Sequence, residues 1–354
     1  MIVVCRVALG AAQVDPRTAL IERAAFEALD AGHAHEAAGL FRDALRGDPK
    51  NARLHLGAAA AAYLERRDAD AEAEAERALE LDAALAQARE VLGAARHRRG
   101  DLVGAIRAYE ALTASMPANT EAIDTLQRWR RELDLQDRLQ QAVGSHFTVS
   151  FDGPREAALA EEALAALDRA YWRIGDLLGT YPFAPVPVVL YTAQQFSDIT
   201  RAPAWAGGAF DGVIRVPMGG ALDNPKELDR VLAHEFTHAL IRGSLAPRGV
   251  PAWLNEGLAT ALEAGQPAHT QGRAADAHAG VPLGALPSSF TRLTGAQAEI
   301  AYATSALAVR RLLDEAGGVA VANLLRDLGD GVDFDAAFLH RIQRTFADFQ
   351  RSLF

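Results

Sequence analysis

Between residues 15 and 116 the apolar positions recur on a fixed step. Pro49 and Pro117 stand 68 residues apart, twice 34, and Asn51 and Asn119 follow them at the same offset. Midway between, Asp82-Ala83 takes the place of Asp48-Pro49. Counting back from these points, Ala37, Ala71 and Ala105 share one position, Phe41, Ala75 and Tyr109 the next, and Ala44, Ala78 and Leu112 a third. Ala25, Ala59 and Gly93 share a small-residue position in the preceding helix of each unit. Small residues let paired helices approach, a bulky one fills the groove, and proline punctuates the turns. The pattern predicts three helix–turn–helix units over 15–116 and a closing helix with a polar face over 118–141.

Near Gly144 the period changes. His146–Phe151 alternates and is rich in aromatic and β-branched residues, which predicts a strand. Asp152-Gly153-Pro154 predicts a turn. An amphipathic helix is expected from Arg155 to Leu178, with Leu159, Leu164, Leu167, Tyr171, Ile174 and Leu178 on its apolar side. Val186–Tyr191 reads as a second strand, Trp205–Gly212 as turn-rich, and Val213–Pro217 as a short strand ended by proline. Helical spacing returns from Asn224 to Ile241, with Asn224 as cap and Pro225 in the first turn. It returns again from Pro251 to Leu262, from Ala298 to Leu313, and in the aromatic stretch Phe334–Phe354, read as core packing. Segment 264–290 is rich in Gly and Pro and reads as a long loop bordering a cleft, with His269 and His278 in solvent.

The chemistry sits on the first of those late helices. His234 and His238 are four apart, so both imidazoles leave one face and can share a metal ion. Glu235 stands beside the first histidine, placed to reach a water on the metal. The histidines lie among Val231, Leu232, Phe236 and Leu240, where unpaired imidazoles would be costly. An open tetrahedral site needs a third ligand, and Glu256, in Trp253-Leu-Asn-Glu-Gly-Leu-Ala259, supplies it from a second helix.

Two resemblances follow from these residues. The 34-residue period and its residue types resemble the tetratricopeptide repeat, although the tryptophan and tyrosine usual in its first helix are missing; otherwise the segment reads as an Ala-rich helical bundle. Such arrays commonly present a groove to a protein partner, and the resemblance implies either that role or a structural one. The run H-E-x-x-H followed by W-L-N-E-G-L-A resembles the gluzincin peptidases, and most closely the peptidase MA-like domains. That likeness implies Zn2+ held by His234, His238 and Glu256, Glu235 as general base, and Tyr302, at the start of a later helix, as a donor to the oxyanion or else a core or rim tyrosine. Two departures limit it. The gap from His238 to Glu256 is slightly short, and the acidic residue that often follows the third ligand by four is here Thr260. The partners that orient the histidines therefore stay open among Asp229, Glu263 and backbone carbonyls.

The expected fold class is multidomain, an all-α tetratricopeptide-like solenoid followed by an α+β zincin-like metallopeptidase domain. Its divisions are 1–14, 15–142 and 143–354. The expected function is zinc-dependent hydrolysis of a polypeptide, with the repeats docking a protein partner. An endopeptidase is preferred because the G-x-M-E-N signature of related aminopeptidases is missing, and the strand at Val213–Val216 is expected to pair with extended substrate. The alternatives are a catalytically silent repeat adaptor with a zinc-binding peptidase-like domain, and a zinc hydrolase of a non-peptide amide.

Composition narrows the partners. A net charge of −10 over 354 residues, with no Lys/Arg cluster, argues against nucleic acid or an anionic membrane surface. Cys5 is the single cysteine, so no internal disulfide forms, and no apolar run reaches the length of a transmembrane helix. Residues 1–14 are apolar and end in small residues, reading either as the remnant of a secretory signal or as a frayed terminus. The first reading places the protein outside the cytoplasm or in a periplasm, the second in the cytoplasm.

Overall fold

Two compact units, Met1–Asp134 and Leu135–Phe354, make up the chain in a computed structural model that describes residues 16–153, 156–200, 209–210, 212–217, 224–247, 250–264, 281–290 and 293–353. The signal-like stretch 1–14, most of the turn-rich segment from Trp205, and the loop holding His269 and His278 lie outside the described residues.

The first unit is a row of helix pairs. Its helices are α1 (Pro16–Asp30), α2 (Ala34–Gly47), α3 (Ala52–Leu64), α4 (Asp68–Leu81), α5 (Ala86–Arg98), α6 (Leu102–Ser115) and α7 (Thr120–Gln136). The second helices of the pairs begin at 34, 68 and 102, and α3, α5 and α7 begin at 52, 86 and 120, so the 34-residue step is kept. The positions that set the period in sequence are the buried ones: Ala37, Ala71, Ala105, Phe41, Ala75, Tyr109, Ala44, Ala78 and Leu112. Asn51 caps α3 by accepting from the amides of Arg53 and Leu54, and Asn119 accepts from the amide of Ala122 at the start of α7. Close packing is enforced by rings against glycines. A Cβ on Gly57 would lie 2.3 Å from the Phe41 ring, and one on Gly93 2.4 Å from the Tyr109 ring.

The second unit builds a mixed sheet covered by helices. Its strands are β1 (Gln140–Val143), β2 (Phe147–Phe151), β3 (Val186–Tyr191), β4 (Ala209–Phe210) and β5 (Ile214–Pro217), in the order β1-β2-β3-β5-β4. The central pairs β2–β3 and β3–β5 are parallel, and the outer pairs are antiparallel. The alternation read in Phe147–Phe151 is the burial pattern itself, with Phe147, Val149 and Phe151 inside. The apolar run of β3 fits an interior parallel strand. Helix α8 (Ala157–Leu178) buries Leu159, Leu167, Ile174 and Leu178 and ends at Gly179, whose φ of 60° gives a left-handed cap.

Two expectations need adjustment. Gln140 and Gln141, placed by the sequence at the end of the closing helix, instead begin a strand, Gln140–Val143, paired with Thr148–Phe151. It is an edge strand with mostly exposed side chains, so no apolar alternation marks it. The strand at Val213–Pro217 is not a free edge either, because β3 lies on one side of it and β4 on the other. Among the described residues the outer edge belongs to β4.

Four further helices matter for the site. They are α9 (Ala193–Thr200), α10 (Pro225–Leu240), α11 (Ala252–Ala261) and α12 (Gly295–Ala316). Thr294 and Gln297 form a capping box at the start of α12. The tail is helical too, α13 (Gly318–Gly329), α14 (Phe334–Ile342) and α15 (Phe346–Arg351), with Phe338 and Phe349 fully buried. Helix α11 packs so closely on α12 that a Cβ on Gly257 would lie 2.5 Å from the carbonyl oxygen of Ser305. Backbone cannot swing aside as a side chain would. Gly257→Ala is therefore expected to destabilise the fold by about 1–3 kcal/mol, despite the roughly 1 kcal/mol that alanine gains as a helix former. Denaturant unfolding of the whole chain checks this, and an unchanged or raised midpoint would show that the two helices separate freely.

Candidate metal centre

Helix α10 begins where Asn224 accepts a hydrogen bond from the Glu227 amide, with Pro225 in the first turn. Its inner face buries Leu228, Leu232, Phe236 and Leu240, and this fixes the rotation of the helix. His234 and His238 then leave the same side, with their Nε2 atoms 3.2 Å apart and their ring planes at 81°. After Leu240 the chain makes one π-helical turn, Ile241–Leu245, and re-enters as α11 behind Pro251. Helix α11 returns Glu256 to the histidines. Its Oε2 lies 3.4 Å from His238 Nε2 and 3.8 Å from His234 Nε2.

The three donors lie within 4.8 Å of one another and could hold a metal ion. Tetrahedral zinc bonds of about 2.0–2.1 Å set ligand atoms roughly 3.3 Å apart, close to the spacings found. The tautomers also fit. His234 Nδ1 stands 2.9 Å from Glu263 Oε1, and His238 Nδ1 3.2 Å from Asn255 Oδ1. Each Nδ1 therefore keeps its hydrogen to donate outward, which leaves the Nε2 lone pairs directed at one point.

The two carboxyls nearby are shifted in opposite directions. Burial works against the ionised form of Glu256, but His238, His234 and the Asn255 amide outweigh it and bring the pKa down to about 2. Burial also pulls the His238 imidazole down, and the adjacent Glu256 reverses this to a net upward shift. Glu235 is 5% exposed, and burial pushes its carboxyl up. Its Oε2 is buried without a hydrogen-bond partner among the described residues. Such an orphaned oxygen beside three converging donors is accounted for when a further polar group occupies the site.

Tyr302, on α12, faces the same centre. Glu256 acts on its hydroxyl, and its ring centroid is 6.4 Å from that of His234. Burial, followed by the charges of Glu256 and Glu235, raises its pKa and keeps the phenol protonated.

Of the partners left open for the histidines, Glu263 is the one found on a ring. It is buried and also accepts from Arg230 Nη1 at 2.8 Å. Asp229 pairs instead with Arg169 at 2.5 Å. Thr260 buries its hydroxyl without a partner among the described residues, so it does not stand in for an acid. Asn255 was missed in the sequence. Its amide serves two ligands, accepting from His238 and donating to Glu256 Oε1 at 3.2 Å. The signal available was its place directly before Glu256. Arg242, one turn beyond His238, donates to the Phe210 carbonyl at 3.0 Å and ties the edge strand β4 to the end of the metal helix.

A mixed sheet, a helix bearing two histidines one turn apart and a second helix returning a glutamate to them define a peptidase-like α+β domain. The chain belongs to the Peptidase MA superfamily, which it matches over residues 166–344. No curated protein matches the chain. Among solved structures, one similar chain is the first TPR of Spaghetti (RPAP3) bound to the HSP90 peptide SRMEEVD. It has a TM-score of 0.33 and 25% identity, over 35% of this chain and 99% of that one. Another is the first TPR domain of the human RPAP3 protein, with a TM-score of 0.33 and 24% identity, over 34% of this chain and 94% of that one.

The geometry separates the candidates for holding His234. Glu263→Gln is expected to weaken binding of a divalent metal by about 10- to 100-fold, whereas Asp229→Asn leaves it unchanged. Competition with a chromophoric chelator measures both. Equal affinities for wild type and Glu263→Gln would remove Glu263 from the site.

Proposed function

We propose that the second unit is a zinc-dependent peptide hydrolase with Glu235 as general base, and that the repeats dock a protein partner. The observation that carries this reading is the convergence of two imidazole lone pairs and the Glu256 carboxylate beside a buried oxygen of Glu235 that has no partner among the described residues. Two nitrogens and one carboxylate suit zinc better than the all-oxygen shells of calcium or magnesium.

When bound, zinc supplies Lewis acidity, polarising a carbonyl and lowering the pKa of water to roughly 7. The protein's groups do the rest. Glu235 takes the proton of the attacking water and returns it to the leaving amine nitrogen. Its upward-shifted carboxyl suits that exchange, because a shuttle works best when its pKa approaches the working pH. Tyr302, kept protonated, donates its O–H to the developing oxyanion once substrate draws it from Glu256. Glu263 and Asn255 hold the two rings and Glu256 in register. An extended polypeptide suits a centre flanked by the β4 edge, and an endopeptidase remains the preferred form because no sequence signature for capturing an N-terminus is present.

The test is zinc content together with cleavage of a peptide library, wild type beside variants. Wild type and Glu235→Gln are each expected to hold one zinc per chain, while the variant loses about 100- to 10,000-fold in turnover. Tyr302→Phe is expected to keep its zinc and lose about 100-fold in kcat. Zinc in both proteins with cleavage by neither would favour the silent adaptor. A chain that takes up no zinc on reconstitution would end the proposal.

A further inference from the structure

The acid that holds His234 does not stand on a helix. Glu263 comes seven residues after Glu256 and follows Leu262, where α11 is capped. A carboxylate one turn after Glu256 would be fixed by α11 itself. One that lies past the helix end needs another support to hold a ring to within about 0.5 Å. Part of that support is in the backbone, since Arg173 on α8 donates to the Leu262 carbonyl at 2.7 Å. That bond fixes where the chain leaves α11, but it does not set the torsions of the Glu263 side chain.

Arg230 supplies what is missing. Glu227, Arg230 and His234 follow one another at steps of three and four residues on α10, so they form one stripe of the helix. The Arg230 guanidinium donates from Nε to Glu227 Oε2 at 2.9 Å and from Nη2 to Glu227 Oε1 at 2.5 Å. Its third contact runs from Nη1 to Glu263 Oε1 at 2.8 Å. His234 Nδ1 stands 2.9 Å from that same oxygen. A guanidinium forked on Glu227 has its plane fixed, so Nη1 can point only one way. Side-chain exposure falls along the stripe from 51% at Glu227 to 26% at Arg230 and 4% at Glu263, so the contact nearest the histidine is the least screened. Arg310 on α12 also acts on Glu263 by its charge, but its Nε has no hydrogen-bond partner among the described residues. Its charge would remain if Arg230 were replaced. What would go is the tether.

We infer that Arg230 is a positioning residue of the metal centre, acting through Glu263 to hold the His234 ring with its Nε2 turned toward His238 and Glu256. Two effects oppose each other. An N–H on Oε1 draws charge from the oxygen to which His234 donates, which makes the ring a weaker ligand, and it also keeps that oxygen in place. The second effect outweighs the first, because a shared acceptor still orients the ring, whereas a carboxylate that swings away past the helix end loses the ring altogether. This inference rests on the metal reading proposed above and extends it to a residue outside the three donors.

The test measures zinc affinity of the full chain by competition with a chromophoric chelator, with the unfolding midpoint of the metal-free chain recorded beside it. Arg230→Met is expected to weaken zinc binding about tenfold, the low end of what an orienting partner contributes. Glu227→Gln should weaken it about two- to threefold, since that exposed pair only steers the guanidinium. In a chain already carrying Glu263→Gln, Arg230→Met should cost nothing further, because the two residues act through one bond. Arg169→Met, which takes the cation from neighbouring Asp229, should leave zinc affinity unchanged. Should Arg230→Met fail to fold, Arg230→Lys is read in its place; it keeps one contact to Glu263 without the fork, and an approximately threefold loss is expected, about what one weakened hydrogen bond contributes. Equal zinc affinity in wild type and the Arg230 variant, or a loss of the same size with and without Glu263→Gln, would overturn the positioning role and leave the metal centre standing. A wild-type chain that takes up no zinc would overturn both.

Discussion

Two nitrogen lone pairs and a carboxylate, brought within 4.8 Å of one another inside a protein, do not attract each other. The outward hydrogen bonds at both Nδ1 atoms mean that the facing Nε2 atoms, 3.2 Å apart, are both acceptors in the neutral rings. A positive charge must sit among them, as a proton or as a metal ion. That need is what the second unit is arranged around. The apolar face of α10 turns both histidines one way, the π-helical turn and Pro251 bring the chain back, and Gly257 lets α11 settle against α12. Each of these constraints is backbone geometry, so the donors are fixed before any ion arrives.

The charge needed to hold the rings has its own compensation. Glu263 is buried, and a buried carboxylate without a cation costs several kcal/mol. Arg230 meets it directly at 2.8 Å, and Arg310 acts on it through the field, its own pKa lowered by burial and partly restored by Glu263. Arg230 is anchored in turn by Glu227 on the same helix. The chain Glu227–Arg230–Glu263–His234 thus runs from the surface to the three converging donors, with Arg230 between two carboxylates, and it ties α10 to the residues just beyond α11. A carboxylate at the position of Thr260 would lie one turn from Glu256. Here the acid comes from beyond the helix end, and Thr260 is left as a buried hydroxyl.

Much of this was legible in the sequence because periodicity and spacing are local properties. The 34-residue step, the alternation of Phe147–Phe151 and the i, i+4 histidines each need only a short stretch of chain to be read. The choice between Asp229 and Glu263 was not local. It depends on where the chain turns after Leu262, which brings Glu263 to His234 while Asp229 pairs with Arg169. Asn255 was invisible for a related reason, since a small polar residue on an apolar helix reads equally as a turn signal or a tolerated substitution. The strands β1 and β4 left little trace, one polar and exposed and the other two residues long. Misassigning β4 made β5 look like the substrate edge, because a strand's neighbours are set by topology and not by its own residues.

The repeats and the second unit solve opposite problems with charge. In the second unit the three acceptors are half-buried or buried and converge, so a group that completes them has to be small. In the repeats, by contrast, Glu90 is half-buried and Glu121 is exposed, so charge there is screened by water. Under the proposed reading, even a weak docking site joined covalently to a hydrolase raises the local concentration of substrate towards about the millimolar range when the linking chain spans both. Under the proposed reading, selectivity therefore resides mainly in the repeats, and the metal centre is free to cleave whatever extended chain is delivered to it.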